Sequence, residues 1–235
     1  MTSPKTLGRI TGMLYLVGSL GPVLAMVLRS RVVQSADAAA TADHIRASEV
    51  LLRVDVAVGL VSLAAWLFAV TALYRLLRHA GRLAATAMVV TVTAAVAVEC
   101  MNLVSQLTAL TVATSPAYTG ALGEAGANAA VMLAADLWRN GALLVGLFWG
   151  LWLLPLGYLV FRSGTFPKVV GALLILGGGS YLTVHFVSVL APSLAGTVSY
   201  LLVGDIGELV FVVWLLVKGG RLPPSETAGP SAQST

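Results

Sequence analysis

The sequence predicts an all-α fold, a polytopic transmembrane helical bundle of about six spans with both termini cytoplasmic. Three observations predict it. Of the 235 residues, 58% are hydrophobic and only 10% charged, with a mean hydropathy of +0.91, a balance that water-soluble domains do not reach. Apolar runs of about 20 residues, enough to cross a bilayer, recur along the chain. The Lys and Arg residues stand at the ends of those runs, as topology determinants do, and not on one polar face. That distribution excludes a nucleic-acid partner despite a net charge of +4 and a pI near 9.5.

The bundle is expected over residues 1–220, with spans at 10–28, 50–74, 83–107, 137–161, 166–190 and 196–217. The first run follows Lys5 and Arg9 and is long enough to span, so it reads as a retained helix. Arg75, Arg78 and Arg82 fill the connection after the second span, Arg162 and Lys168 flank the turn after the fourth, and Lys218 and Arg221 follow the last. These basic ends belong on the cytoplasmic side; Arg29 and Arg31 are the dissenting residues.

The outer segment ADAAATADHIRASE has Asp and Thr as N-cap candidates and predicts a short helix leading into the second span. ALGEAGANAAVMLAADLWRN predicts a helix that lengthens the fourth span. The tail 221–235, rich in Pro, Ser and Thr, lacks apolar periodicity and is read as disordered. Gly18, Gly21 and Pro22 interrupt the first apolar run, Pro155 the fourth, and Gly177, Gly178 and Gly179 the fifth. Close helix packing or a kink is the expectation for each. The single cysteine, Cys100, makes no intramolecular disulfide and is expected in the core.

The run LWRNGALLVGLFWGLWLLPLGYLVFRSGTFPKVVGALLILGGGSYL, with GELVFVVWLLVKG after it, resembles the bacterial membrane protein family known as domain of unknown function 4386. The openings RITGMLYL of the first span and ALYRLLR at the end of the second fit it as well. Its most specific part is GY-x-x-x-RSG-x-x-P followed by G-x-L-L. The resemblance implies a multi-pass bacterial membrane protein and supplies no activity and no functional residues.

Polar residues within the spans are the candidate site. Arg53 and Asp55 open the second span; Glu99, Asn102 and Gln106 share a face of the third; Asp136, Arg139 and Asn140 open the fourth; Tyr181 and His185 share a face of the fifth; Asp205 and Glu208 lie in the sixth. Counting along the helices puts Asp205 roughly 13 Å and Glu208 roughly 18 Å below the outer face, and Glu99 about 22 Å above the inner face. A lone ionised carboxylate in hydrocarbon is too costly to keep, so each acid must face the bundle interior, find a partner or be neutral. Arg53, Arg139 and His185 are the expected partners of Asp205 and Glu208.

This pattern predicts a plasma-membrane protein with an outward-facing polar pocket for a small molecule, an ion or a lipid headgroup, transporter-like or a sensor. An intramembrane lipid-modifying enzyme and a structural subunit of a membrane complex are the alternatives. No catalytic residues, cofactor or metal site are assigned. His44 and His79 fall on opposite sides of the membrane, which excludes a three-histidine zinc centre. His185 with Glu99, Asp205 and Glu208 has no specific metal signature, and no G-x-S-x-G, H-E-x-x-H or phosphate-binding glycine loop occurs. Ser180 and Ser188, near His185, are expected to hydrogen-bond their own helix. The bilayer is the expected partner; ligand identity and oligomeric state are not encoded in any motif.

Overall fold

The computed structural model describes residues 4–32, 37–198 and 204–219. Every regular element among them is helical. In chain order these are α1 (Pro4–Val32), α2 (Ala38–Ala47), α3 (Glu49–Leu77), a 3₁₀ turn (Arg78–Ala80), α4 (Arg82–Thr114), α5 (Pro116–Arg162), α6 (Lys168–Leu190), a second 3₁₀ turn (Pro192–Leu194), α7 (Ala195–Val198) and α8 (Gly204–Lys218). Five described helical segments are long and apolar enough to cross a membrane: Lys5–Val27, Glu49–Ala80, Arg82–Thr114, Pro116–Arg162 and Lys168–Leu190. The expectations for residues 199–203, within the sixth span, and for the tail fall outside the described residues. Large apolar side chains such as Leu20, Phe68, Met101, Leu133 and Leu176 are exposed on these helices. Such a surface suits lipid and not water.

The short helix α2 begins where the sequence places a cap: the Asp37 carboxylate accepts hydrogen bonds from the Ala39 and Ala40 N–H groups at 3.3 and 3.2 Å. The segment after Ser115 is helical from Pro116 and runs into the fourth span, with a break at Gly123, where φ is 71°. Cys100 is exposed on α4 and not in the core. Helical spacing says which residues share a face, but the neighbours decide which face turns inward.

The chain forms two compact units. Unit 1 comprises Met1–Tyr15, Phe68–Val92 and Leu147–Thr235. Its described core includes Tyr15, Leu73, Met88, Trp152, Leu156 and Phe211, all nearly inaccessible. Here α5 and α6 approach through glycines. A Cβ on Gly157 would lie 2.8 Å from Gly171 O, and one on Gly178 would lie 2.8 Å from Gly150 O. The triple glycine is thus partly a packing device: Gly178 is closed in, while Gly179 has nothing within 4 Å.

Unit 2 comprises Leu16–Leu67 and Thr93–Gly146. A buried cluster joins Ile45 of α2, Leu52 of α3, Leu110 of α4 and Val131 and Trp138 of α5. Arg46 reinforces it, donating to Ala113 O at 2.8 Å, near the C-terminus of α4, and to Asn128 Oδ1 at 3.0 Å.

The α1 helix passes through Pro22 without ending. A proline has no N–H for the carbonyl four residues earlier, which here is Gly18. The Trp66 indole supplies the missing donor, with Nε1 2.9 Å from Gly18 O. Beside it, Ser62 Oγ accepts from Gly21 N at 2.9 Å and donates to Val17 O at 3.2 Å, bridging the opened turn. Gly18 must lack a side chain, because a Cβ would stand 2.9 Å from the indole ring. Trp66→Phe keeps most of the ring and removes the donor, and is expected to cost about 1–3 kcal/mol in thermal unfolding of the detergent-solubilised protein. Adding Pro22→Ala restores a backbone donor and should recover much of that loss. Equal destabilisation with and without Pro22 would refute the assignment.

Candidate functional site

The polar residues of unit 2 separate into an exposed set and a buried set. Arg53 Nη2 lies 2.9 Å from Glu49 Oε1 and Arg139 Nη2 lies 2.8 Å from Asp136 Oδ1, both within one helix and with both arginine side chains more than half exposed. Asn140 is exposed as well. These pairs follow from i,i+4 and i,i+3 spacing alone.

The buried set lies between α3 and α4. Gln106, 1% exposed, donates from Nε2 to Asp55 Oδ2 at 2.8 Å, and Asp55 is itself 1% exposed. One turn earlier on α4, Asn102 is 3% exposed. Neither amide atom of Asn102, nor Gln106 Oε1, has a hydrogen-bond partner among the described residues. Glu99 continues this face of α4 and is half-buried. On α5, Gly141 admits the Asn102 carboxamide: a Cβ there would collide with Asn102 Oδ1. Buried amides ordinarily have their donors and acceptors filled, and leaving one unfilled costs about 1–3 kcal/mol.

The remaining candidates lie in unit 1. Glu208 accepts a hydrogen bond from the Tyr15 hydroxyl. Tyr15 in turn packs against Trp152 and Phe211, with ring centroids at 5.8 and 6.2 Å. Tyr15 was not among the sequence candidates; its signal is a phenol in mid-span, which needs a polar partner when buried. Gly207 seats against Leu173, with a built Cβ 3.0 Å from the Leu173 carbonyl. This contact sets Glu208 level with the first turns of α6, closer to the Lys168 end than counting from residue 196 predicts. The expectation for the Asp205 side chain falls outside the described residues.

His185 Nδ1 is 2.8 Å from Tyr181 O in its own helix, and its ring stacks on Tyr181 at 5.9 Å. Since a carbonyl only accepts, Nδ1 carries the proton. Ser188 returns its hydroxyl to Val184 O at 2.7 Å as expected, whereas Ser180 Oγ is buried without a hydrogen-bond partner among the described residues.

Comparison with known proteins identifies a family but no activity. The family model Domain of unknown function (DUF4386) matches residues 10–219. A protein of Archaeoglobus fulgidus described as uncharacterized is 33% identical over 76 residues, which is 32% of this chain and 44% of that protein. The chain thus spans less than half the length of that relative. No solved structure matches.

Proposed function

We propose, from the premise that this chain belongs to the DUF4386 family of unknown function, that it is a membrane protein that binds a small polar solute at the Asn102–Gln106 face of unit 2. The observation that carries this reading is the carboxamide of Asn102, 3% exposed, whose two polar atoms have no hydrogen-bond partner among the described residues. A membrane interior offers no bulk water to satisfy them.

The chemistry favours a donor-rich ligand. Asn102 Oδ1 and Gln106 Oε1 both accept, Asn102 Nδ2 donates, and the Asp55 and Glu99 carboxyl groups belong to the same unit. A small amine fits that set better than an anion does. On this reading the basic helix ends face the cytoplasm of a plasma-membrane protein and the amide face is reached from outside. Solute uptake or sensing follows from such a site.

The test is thermal unfolding in lipid nanodiscs with alkylamines and carboxylates of matching size. Amines should raise the midpoint of the wild type, and carboxylates should not. Asn102→Ala removes two unfilled polar atoms, so the unliganded midpoint should move by less than about 1 kcal/mol equivalent while the amine response disappears. If no amine shifts the wild type and Asn102→Ala is strongly destabilising, the amides serve only to join helices, and the proposal fails.

A further inference from the structure

Unit 1 has a feature independent of the amide face. Lys5, Arg78, Arg82, Arg162, Lys168 and Lys218 are all exposed. None has a carboxylate partner among the described residues, since the ion pairs found there, Arg46–Asp43, Arg53–Glu49 and Arg139–Asp136, belong to unit 2.

Contacts inside the unit gather these cations at one end. His79 Nε2 is 3.4 Å from Ser163 O. Gly81 faces Tyr158 and Leu159, with a built Cβ at 3.4 and 3.6 Å from their side chains. Arg78 and Arg82 therefore flank the C-terminus of α5, where Arg162 donates to Tyr158 Oη at 2.8 Å. Across the turn, Lys168 Nζ sits 5.6 Å from the centroid of Phe161. Phe166, in the same turn, meets Phe211 of α8 at 5.4 Å, and just past the end of α8 Gly219 packs on the backbone of Lys5. Among the described side chains of the unit the one acid is Glu208, in the early turns of α8, and it is engaged by Tyr15.

The cations alternate with exposed apolar side chains. Leu83, 86% exposed, adjoins Arg82, and Val169 and Phe161 are exposed beside Lys168 and Arg162. A soluble acidic partner would satisfy the charges and leave these side chains in water. A phospholipid satisfies both at once, with phosphate at the cations and acyl chain along the apolar groups. We propose that this end of unit 1 is a binding surface for anionic phospholipid headgroups, with Arg78, Arg82, Arg162 and Lys168 holding the phosphate.

Native mass spectrometry of the detergent-solubilised protein, titrated with phosphatidylglycerol or phosphatidylcholine, tests this. The wild type should prefer phosphatidylglycerol, and the preference should collapse near 1 M salt, where the screening length is about 3 Å. Arg78→Gln with Arg82→Gln should weaken phosphatidylglycerol binding by about 30-fold, and Arg78→Lys with Arg82→Lys should retain most of it. Equal affinity for the two lipids, a preference that survives the glutamine pair, or equally tight binding of inorganic phosphate would overturn the proposal. Capture of an acidic peptide without any lipid preference would overturn it too. If the glutamine pair does not fold, the wild-type lipid preference and its salt dependence decide alone.

Discussion

Gly171→Leu is expected to prevent α5 and α6 from assembling, with a loss of more than about 3 kcal/mol, above the usual range for overpacking. A Cβ on Gly171 alone would stand 2.6 Å from Phe161 N and 2.7 Å from Gly157 O. Both obstacles are backbone atoms, which cannot rotate away as a side chain can. The reciprocal contact is as tight: a Cβ on Gly157 would stand 2.9 Å from Ile175 N. Gly150 and Gly157 on α5, and Gly171 and Gly178 on α6, are each about two turns apart, so they line one face of their helix. In lipid, where apolar side chains gain nothing by leaving the tails, such close backbone approach is what holds two helices together. Gly179 supplies the control, because nothing lies within 4 Å of its built Cβ. Gly179→Leu should be neutral or stabilising by up to about 1 kcal/mol, since leucine favours the helix over glycine. Thermal unfolding and the monodisperse fraction in detergent measure both variants, and equal tolerance of the two would refute the glycine contact.

The helical class and the apolar segments were legible in the sequence because both are local properties. Length, composition and the Asp37 cap all act within a few turns of one helix. The pairs Glu49–Arg53 and Asp136–Arg139 are equally local, brought together by spacing alone, although the sequence reading sets Arg53 and Arg139 opposite Asp205 and Glu208. Long-range partnership was not legible. Tyr15, 193 residues away in sequence, donates to Glu208, a partner beyond the Arg53, Arg139 and His185 that the sequence suggests for it. Nothing in VGDIGELVF indicates which helix lies across from it, because that depends on where Gly207 lets the backbone of α6 approach. The Pro22 break illustrates the same limit. The sequence shows that Gly18 O loses its donor, but only the fold shows Trp66 replacing it. Of the candidate polar residues in unit 2, Asp55, Asn102 and Gln106 are separated from Arg53, Arg139 and Asn140 by burial, a quantity set by the neighbouring helices.

Gln106→Leu is expected to be the most damaging change in the buried polar set, because it strips a hydrogen bond from a carboxyl group that is 1% exposed. Leaving a buried polar group short of a donor costs about 1–3 kcal/mol, and breaking a buried pair that carries charge costs about 3–5 kcal/mol. The size of the loss therefore reports the state of Asp55: near the lower range for a neutral carboxyl, near the upper for a carboxylate. Asp55→Leu should be milder, since the Gln106 amide it leaves behind is uncharged. The double replacement should recover a large part of the Gln106→Leu loss, because both polar groups then leave the interior together. Coupled groups in contact deviate from additivity by about 0.5–3 kcal/mol, which a double-mutant cycle in detergent resolves. Additive losses would show that Asp55 and Gln106 are held independently, and would remove the hydrogen bond that orients Gln106 Oε1 from the site. A coupled pair together with an undamaged Asn102→Ala variant would leave one interpretation of α4: Gln106 builds the wall, and Asn102 is kept for what binds against it.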